Sequence, residues 1–363
     1  MPTPDRDGGS LRIFRILKIL KSLSYQVVFV PSFPSSWAPF DQTLGEDTLR
    51  LQEAGIEVSV PSPLDAVEEH VRQSGETYDA VLLSGGVYTA VRHFRSIRRY
   101  APQALLLFDT VDLHFIREFR EAKLAGSMHR LKRAMEIKRL ELEIAGNADC
   151  TLVVSNVEKS ILEKEVPGVR VHEISNIHEI RGSNRGFAER RDIMFIGAFQ
   201  HTPNCDAVFH LVNDIFPLIR EALPGVHLYI IGSNPTPEIM DLGAEDVVIT
   251  GYVPDPSHYF HRCRLSVAPL RFGAGVKGKI LQSMEYGLPV VTTSIGAEGM
   301  YLRNGHTVLL ADNAGDFRDA VVELYGNGIL WQRLSTNGFD TITRHFSVET
   351  ARARLYGLLP KAC

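Results

Sequence analysis

The stretch LSVAPLRFGAGVKGKILQSMEYGLPVVTTSIGAEG, residues 265–299, decides the fold. It opens with a short apolar run of strand type, which Gly273 and Gly275 interrupt before an apolar pattern of helical period begins. Four apolar side chains of this pattern fall on one helical face: Val276, Ile280, Leu281 and Met284. The stretch therefore predicts a strand, a glycine-rich loop and a helix, followed by a second buried strand, PVVTT.

Two lysines in the predicted first helical turn, Lys277 and Lys279, point to an anion. The helix dipole disfavours a cation there by about 0.3–1 kcal/mol, whereas a bound anion would meet the loop N–H groups, the dipole and both ammonium groups. We therefore predict a phosphate or diphosphate cradle formed by Gly273, Gly275, Lys277 and Lys279. Arg271, at the mouth of the loop, either joins this cradle or forms an outward salt bridge. Simple exposure to water is the alternative for the two lysines.

Several other functions are disfavoured. The spacing of Gly273–Lys279 matches a nucleotide triphosphatase loop, but Ile280 stands where a magnesium-binding hydroxyl is required. The formal net charge of −4 argues against general nucleic-acid binding. His258 and His261 lie on a predicted helix whereas Cys263 enters a predicted strand, so a zinc site is disfavoured.

The run from Pro269 to Gly299 resembles the donor-binding signature of the family-4 type retaining glycosyltransferases, the glycosyl transferases group 1. The resemblance extends through three more segments: FIGAFQHTPNCDA (195–207), LYIIGSNP (228–235) and VVITGYVPD (247–255). It implies the α/β fold called GT-B, in which two Rossmann-like doubly wound parallel-sheet domains face each other across a cleft. It also implies a nucleotide-sugar donor, UDP- or GDP-linked, with no other cofactor and no essential metal.

The chain departs from this family at two positions. The common pattern has two glutamates, the first contacting the donor sugar and the second the ribose hydroxyls, and here Ala274 and Gln282 take their places. Gln282 can still hydrogen-bond a hydroxyl, without the charge that strengthens the bond. We therefore predict Gln282 as a ribose-binding residue, whereas the Ala274 side chain cannot contact a sugar hydroxyl.

The length of 363 residues predicts two domains, and a polar linker at residues 175–191 separates them. We predict an N-terminal Rossmann-like acceptor-side domain over 1–180 and a C-terminal Rossmann-like donor domain over 190–345. The resemblance implies that a last helix, within 346–363, crosses back to the N-terminal domain.

Short apolar segments predict the strands, and the helical segments between them indicate mostly parallel sheets. The segments are 26–31, 56–61, 79–85, 104–110, 150–155, 169–175, 192–197, 227–232, 247–251, 264–269, 289–293 and 307–310. A helical pattern at 11–23 precedes them all. We therefore expect that the first strand of a Rossmann-like half is missing through truncation, or else that the fold begins with this helix.

Ligands of such sheets bind beyond the carboxyl ends of the strands, and two N-terminal places meet that condition. Gly8 and Gly9 lie in an opening loop where small residues let an acceptor approach the backbone. Asp112 and His114 follow the strand at 104–110. Because family members tend to carry an Asp or His here that touches the donor sugar, both are predicted catalytic residues. The alternatives are a helix N-cap for Asp112 and a surface position for His114.

Three residues of the C-terminal half complete the predicted site. His201 follows the strand at 192–197, where relatives contact the diphosphate, so it is expected to bind phosphate or sugar, or else to have a local structural role. Gly296 and Glu298 follow PVVTT and are predicted to face the donor sugar, Gly296 in binding and Glu298 in catalysis.

We expect a cytoplasmic protein, because no apolar run approaches the length of a membrane span and the four cysteines form no C-x-x-C pair. Basic residues form stripes on predicted helices: Arg12, Arg15, Lys18, Lys21, Arg92, Arg95, Arg98 and Arg99. Such stripes are usually solvated faces. The alternative is a peripheral contact with anionic lipid at the inner membrane surface.

These observations and the resemblance predict a metal-independent glycosyltransferase of hexosyltransferase type. It would move a sugar, with retention, from a nucleotide-sugar donor to a hydroxyl of a glycan, lipid-linked or other acceptor, in polysaccharide or other glycoconjugate synthesis. A catalytically silent sugar-nucleotide-binding or partner subunit is the alternative, motivated by Ala274 and Gln282. A nucleotide-sugar epimerase of the same fold is a third interpretation.

Overall fold

The structure is a computed structural model that describes residues 1–32, 42–59 and 66–360. The chain divides into two compact units. The first comprises Met1–Pro4, Gly9–Ile177 and Val348–Cys363, and the second comprises Asp5–Gly8 and His178–Ser347.

The first unit alternates helices and strands. Its described strands are β1 (Val28–Phe29), β2 (Glu57–Val58), β3 (Ala80–Ser84), β4 (Leu105–Asp109), β5 (Cys150–Val153) and β6 (Val171–Glu173). Its helices are α1 (Gly8–Ser22), α2 (Gln42–Glu53), α3 (Ala66–Ser74), α4 (Gly86–Tyr100), α5 (His114–Leu124), α6 (Met128–Asn147) and α7 (Asn156–Glu165), together with α16 (Val348–Tyr356) from the chain end. All strand pairs are parallel, and they form a sheet β3-β4-β5-β6 and a separate pair β1-β2.

The second unit contains one six-stranded sheet in the order β12-β11-β10-β7-β8-β9, all parallel. The strands are β7 (Ile193–Ile196), β8 (Leu228–Ile231), β9 (Val247–Gly251), β10 (Leu265–Ala268), β11 (Val290–Thr292) and β12 (Leu309–Leu310). The helices are α8 (Thr202–His210), α9 (Phe216–Ala222), α10 (Pro237–Met240), α11 (Ser257–Arg262), α12 (Gly278–Glu285), α13 (Ser294–Ala297), α14 (Ala314–Gly326) and α15 (Gly328–Thr341). The strand order reverses between β7 and β10, which is the topological switch point of a doubly wound sheet.

The predicted α/β fold with parallel sheets is confirmed. Each predicted strand segment contains an observed strand, although residues 60 and 61 of one segment lie outside the described residues. Helix α16 belongs to the first unit, where Ala351 and Leu355 share a buried cluster with Ile16, Ile19 and Leu107. The burial of these side chains joins the end of the chain to α1 and β4.

The stretch at 265–299 forms the predicted elements with one change of boundary. Helix α12 begins at Gly278, so Lys277 is its N-cap residue and only Lys279 lies in the first turn. Ile280, Leu281 and Met284 are buried on one face as predicted, while Val276 lies in the loop and packs partly buried against them. The glycine loop thus ends at Lys277, directly before the helix, and Lys279 lies in the first helical turn.

One predicted solvated stripe is wrong for α1. Arg12 is 1% exposed, because its guanidinium donates to Asp109 at 2.8 Å and to the Ile174 carbonyl at 2.7 Å. Arg15 donates to the Ile177 carbonyl, and only Lys18 of the stripe is fully on the surface. Of the four basic residues of α1, Arg12 thus lies on the buried face of the helix, where it balances the charge of Asp109.

Candidate functional site

The glycine loop after β10 places two lysines at one end of the sheet. Gly275 has φ of 66°, a left-handed conformation that glycine adopts without strain. Lys277 is 8% exposed and donates from Nζ to the Gly275 carbonyl at 2.8 Å. Its N–H contacts Met300 Sδ at 3.5 Å, so the loop packs against the segment that follows β11.

Lys279 is a half-buried residue whose ammonium meets little to balance its charge. Its Nζ donates to Asn204 Oδ1 and lies 5.0 Å from the centre of the Phe195 ring. Among the residues that the structure describes, it makes no ion pair. Burial, followed by repulsion from Lys277, lowers the pKa of Lys279 to about 7. An anion placed here would restore the charged form.

The loop after β7 meets this lysine from the other side of the switch point. Asn204 is buried on α8 and donates from Nδ2 to the Ala198 carbonyl at 2.6 Å, which leaves Oδ1 for Lys279. Gly197 ends the strand, and a Cβ there would lie 2.8 Å from Asn204 Nδ2 and 3.1 Å from Lys279 Cε. Neither Gly197 nor Asn204 was predicted as a site residue, although the glycine after the strand and the Pro203-Asn204 pair are visible in the sequence.

The loop after β8 adds a buried hydroxyl. Ser233 is 6% exposed, its carbonyl accepts the Phe199 N–H at 2.9 Å, and its Oγ has no hydrogen-bond partner. A buried polar atom without a partner is uncommon in folded proteins. The loops after β7, β8 and β10 therefore all carry polar groups at the carboxyl edge of the sheet, where a ligand of this fold is expected.

The other predicted residues of the second unit have varied surroundings. Gln282 is half-buried on α12 and forms no hydrogen bond with a described residue. Arg271 pairs with Asp206, donating from Nε at 2.9 Å, which is the outward salt bridge that the sequence left open. His201 is exposed at the N-cap position of α8. Glu298 is half-buried directly after α13.

Gly296 has a packing role. Its N–H already donates to Thr293 Oγ1 at 2.9 Å, and a Cβ would overlap the Thr292 hydroxyl. The Thr293 hydroxyl in turn donates to the Leu270 carbonyl at 2.6 Å, which ties this turn to the glycine loop. Gly296 therefore shapes the loop, and its predicted contact with sugar stays a prediction.

The predicted catalytic residues Asp112 and His114 lie together in the first unit, directly after β4. Nδ1 of His114 is 3.0 Å from Asp112 Oδ1 and 3.1 Å from the Asp112 carbonyl oxygen. Asp112 also pairs with Arg117. His114 is not a free surface residue, and the N-cap of α5 is Leu113 rather than Asp112.

Two buried glutamates cap this segment instead. Glu158 accepts the Leu113 N–H at 2.9 Å and the Val154 N–H at 3.2 Å. Glu141 accepts the N–H groups of His114 and Phe115 at 3.2 and 3.1 Å. Because these contacts join distant parts of the chain, the local sequence around Asp112 predicts neither of them.

The glycine pair after β3 makes room for the imidazole. Gly86 has φ of 74°, and a Cβ there would lie 2.3 Å from Cε1 and 2.9 Å from Nε2 of His114. The Tyr88 ring stands edge-on to the imidazole with 5.8 Å between ring centres. The sequence analysis did not single out Gly86, although a glycine pair at a strand end was a usable signal.

The pKa values in this cluster follow from opposed effects. Burial favours a higher pKa for Asp112, but the hydrogen bonds and charges of His114 and Arg117 outweigh it and lower the pKa. Burial favours a lower pKa for His114, but the hydrogen bond and charge of Asp112 outweigh it and raise the pKa. The two side chains therefore favour each other's charged form, the imidazolium of His114 and the carboxylate of Asp112.

Gly8 and Gly9 occupy the start of α1 rather than a loop, and their predicted contact with an acceptor stays a prediction. In the described ranges, no group of three His, Cys, Asp or Glu side chains is placed to hold a metal ion. No described helix is long and apolar enough to cross a bilayer. The structure thus brings together Lys277, Lys279 and the glycine loop in the second unit, and Asp112 with His114 in the first.

Comparison with known proteins identifies part of the chain. Residues 190–327 match the family model of glycosyl transferases group 1. A protein of Klebsiella pneumoniae, called an uncharacterized 44.6 kDa protein in cps region, is 24% identical over 165 residues, which cover 43% of this chain and 42% of that protein. The match thus spans less than half of that relative.

Solved structures share the fold at low identity. Anabaena Alr3699/HepE in complex with UDP-glucose has a TM-score of 0.69 and 16% identity, covering 97% of this chain and 96% of that chain. Sucrose-phosphate synthase from Thermosynechococcus elongatus has a TM-score of 0.67 and 14% identity, covering 97% and 92%. S. aureus TarM, solved with UDP, has a TM-score of 0.61 and 16% identity, covering 74% of this chain but only 53% of TarM. Residues 190–327 are therefore a glycosyl transferases group 1 domain, within a chain that has the GT-B fold.

Proposed function

We propose that this protein is a glycosyltransferase that takes a sugar from a nucleotide-sugar donor, UDP- or GDP-linked, to an acceptor hydroxyl. The observation that carries the proposal is Lys279, a half-buried residue whose ammonium has no described counter-ion at the switch point of the second sheet. A diphosphate supplies the missing charge. The group 1 match over the same unit and the UDP-glucose bound by Alr3699/HepE support this donor class.

The site stabilises the leaving group. During transfer the bond between the anomeric carbon and the diphosphate oxygen breaks, and the acceptor oxygen forms the new bond and loses its proton. Negative charge grows on the diphosphate, where Lys277, Lys279 and the loop N–H groups would stabilise it. We propose no metal in this step, retention of configuration, and Gln282 as the contact to the ribose.

We propose His114 and Asp112 as the catalytic pair of the first unit, with Glu298 as a further candidate in the second, and Gly8 and Gly9 beside the acceptor. The acceptor would be a glycan or lipid-linked molecule in polysaccharide synthesis, which the cps-region relative supports. We also propose a cytoplasmic location with a peripheral membrane contact, since Arg92, Arg95 and Arg99 are exposed on α4. Co-sedimentation with anionic vesicles tests that contact, and equal binding to neutral vesicles contradicts it.

Release of nucleoside diphosphate from a panel of nucleotide sugars tests the transferase proposal. We expect release from one donor class in the presence of a glycan or polyprenol-phosphate acceptor, and loss of that release in Lys279→Met. Lys132→Met, at an exposed position of α6, is the matched control and should behave as wild type. Donor binding without release, unchanged by Gln282→Glu, would favour a silent subunit, and sugar interconversion without acceptor would favour an epimerase.

A further inference from the structure

Glu141 is a buried carboxylate with no role in the function proposed above. Glu141 is 0% exposed. It lies in the twenty-residue helix α6, where the other charged side chains are exposed or half-buried. Acidic side chains are rarely buried completely unless they are paired or hydrogen-bonded. Its position therefore depends on the groups that it meets at the start of α5.

The first of these groups are backbone donors. The opening N–H groups of a helix have no partner within the helix, and Leu113, the N-cap of α5, supplies no side-chain hydrogen bond. Glu141 accepts from the first two helical residues, Oε1 from His114 and Oε2 from Phe115. One carboxylate thereby caps the helix that carries His114.

The second group is the imidazole itself. Glu141 Oε1 lies 3.8 Å from Nδ1 of His114, and Asp112 Oδ1 lies 3.0 Å from the same nitrogen. The other side of the ring, with Nε2, lies over Gly86 and forms no hydrogen bond with a described residue. Two carboxylates thus act on Nδ1 while Nε2 remains available.

We propose that Glu141 is a positioning residue that holds His114, through its backbone and its Nδ1, with Nε2 presented for contact with a ligand. The role of His114 in sugar transfer rests on the proposed function, but its geometry and its charge do not. A capping role alone would require only an acceptor at residue 141. The proposal requires the negative charge as well.

The surrounding charges agree with this role. The groups that face His114 are Asp112 and Arg117 beside it, Glu141 from α6 and the Tyr88 ring from α4. Burial raises the pKa of Glu141 to about 7, against the opposing charge of His114, so the negative charge that the proposal requires is present above about pH 7. Since the two sites are 3.8 Å apart, the protonation of one changes that of the other.

Titration of His114 by NMR in protein labelled at histidine nitrogen tests the proposal. The resonance is assigned by comparison with His114→Gln. In Glu141→Gln the shape and one acceptor oxygen remain but the charge is lost. We expect the proton affinity of His114 to fall about tenfold, because an opposite charge within about 4–6 Å favours the protonated form.

Glu158→Gln is the matched control, since Glu158 is also buried and caps the same segment through Leu113. It should leave the His114 titration unchanged. An unchanged titration in Glu141→Gln, or an equal change in both variants, would overturn the proposal in favour of capping alone. A changed titration without any sugar transfer by the wild type would instead count against the proposed function.

A reciprocal measurement covers the case in which Glu141→Gln does not fold. Carbon NMR of labelled glutamate follows the titration of Glu141 in wild type and in His114→Gln. The proposal expects the midpoint of Glu141 to rise when the imidazolium is removed. An unchanged midpoint would show that the two groups do not interact, and would overturn it.

Discussion

The charges of Arg12 in the first unit and Lys279 in the second are balanced in different ways. In the first unit the Arg12 guanidinium donates to the buried carboxylate of Asp109. In the second unit the Lys279 ammonium meets the neutral Asn204, with no described carboxylate bonded to it. The fold itself supplies the counter-ion of Arg12. We infer that a ligand supplies that of Lys279, because perturbed, incompletely satisfied charges concentrate at functional sites.

The largest expected effect concerns Arg12, whose charge is balanced by Asp109. Arg12→Met leaves Asp109 buried without its partner, and we expect a loss of about 3–5 kcal/mol in the free energy of unfolding. Denaturant unfolding measures it. Arg98→Met is the control, because its pair with Asp149 is about one-third exposed on both sides and is worth about 0–1 kcal/mol. Equal losses of free energy in the two variants would show that the buried pair of Arg12 and Asp109 stabilises the protein no more than an exposed pair.

The next effect concerns the glycine beneath His114. Gly86→Ala adds a Cβ that overlaps the imidazole and must also adopt a left-handed φ, so we expect a loss of about 1–3 kcal/mol and a displaced His114 resonance. Gly126→Ala separates the two causes. It has φ of 60° but open space around the Cβ, and should lose only about 1–2 kcal/mol without moving His114. A wild-type His114 resonance in Gly86→Ala would contradict the packing seen here.

Removal of the Lys279 charge should raise the free energy of unfolding, whereas the two changes above lower it. Lys279→Met removes an ammonium that no described acid balances and whose charged form is disfavoured by desolvation, and we expect the ligand-free protein to gain about 0.5–2 kcal/mol. The folded pKa of about 7 lies below the usual 10.5 of lysine, so the unfolded chain binds more protons between these values. Wild-type stability therefore rises with pH through this window, and the advantage of the variant shrinks. An advantage that stays constant from pH 6 to 9 would exclude this origin.

The smallest effect concerns Arg271. Its pair with Asp206 is partly exposed, so Arg271→Gln should cost about 0–1 kcal/mol and leave nucleotide binding nearly unchanged. Isothermal titration with UDP and GDP measures the binding. A tenfold loss of affinity would show that Arg271 belongs to the phosphate cradle, in addition to its pair with Asp206.

Periodicity predicted the elements of the fold well. The twelve strand segments and the helix after the glycine loop follow from local apolar patterns, which depend on neighbours in sequence. The same patterns predicted Lys277 and Lys279 as a pair. The surroundings of Lys279 were not predictable, since its partner Asn204 lies 75 residues earlier in the chain.

The roles of Arg12 and Asp112 were predicted wrongly for the same reason, because they depend on residues that are distant in sequence. Arg12 has the spacing of a surface stripe, but its partner Asp109 is 97 residues away. Asp112 has the composition of an N-cap, but Glu141 and Glu158 reach the helix start from other elements. A side chain that meets a distant partner changes its role without changing the local pattern, and a single sequence shows only the pattern.

Thermal melting of wild type and Lys279→Met, with and without UDP, GDP, ADP and CMP, tests whether Lys279 belongs to a diphosphate site. A ligand that binds only the folded protein stabilises it by about 2.7 kcal/mol at a hundred times its Kd. We expect that one nucleotide raises the Tm of wild type and of the Lys132→Met control. Lys279→Met should melt above wild type without nucleotide and below it with nucleotide. Equal nucleotide shifts in wild type and Lys279→Met, or no shift of the wild type by any of the four, would contradict a diphosphate site at Lys279.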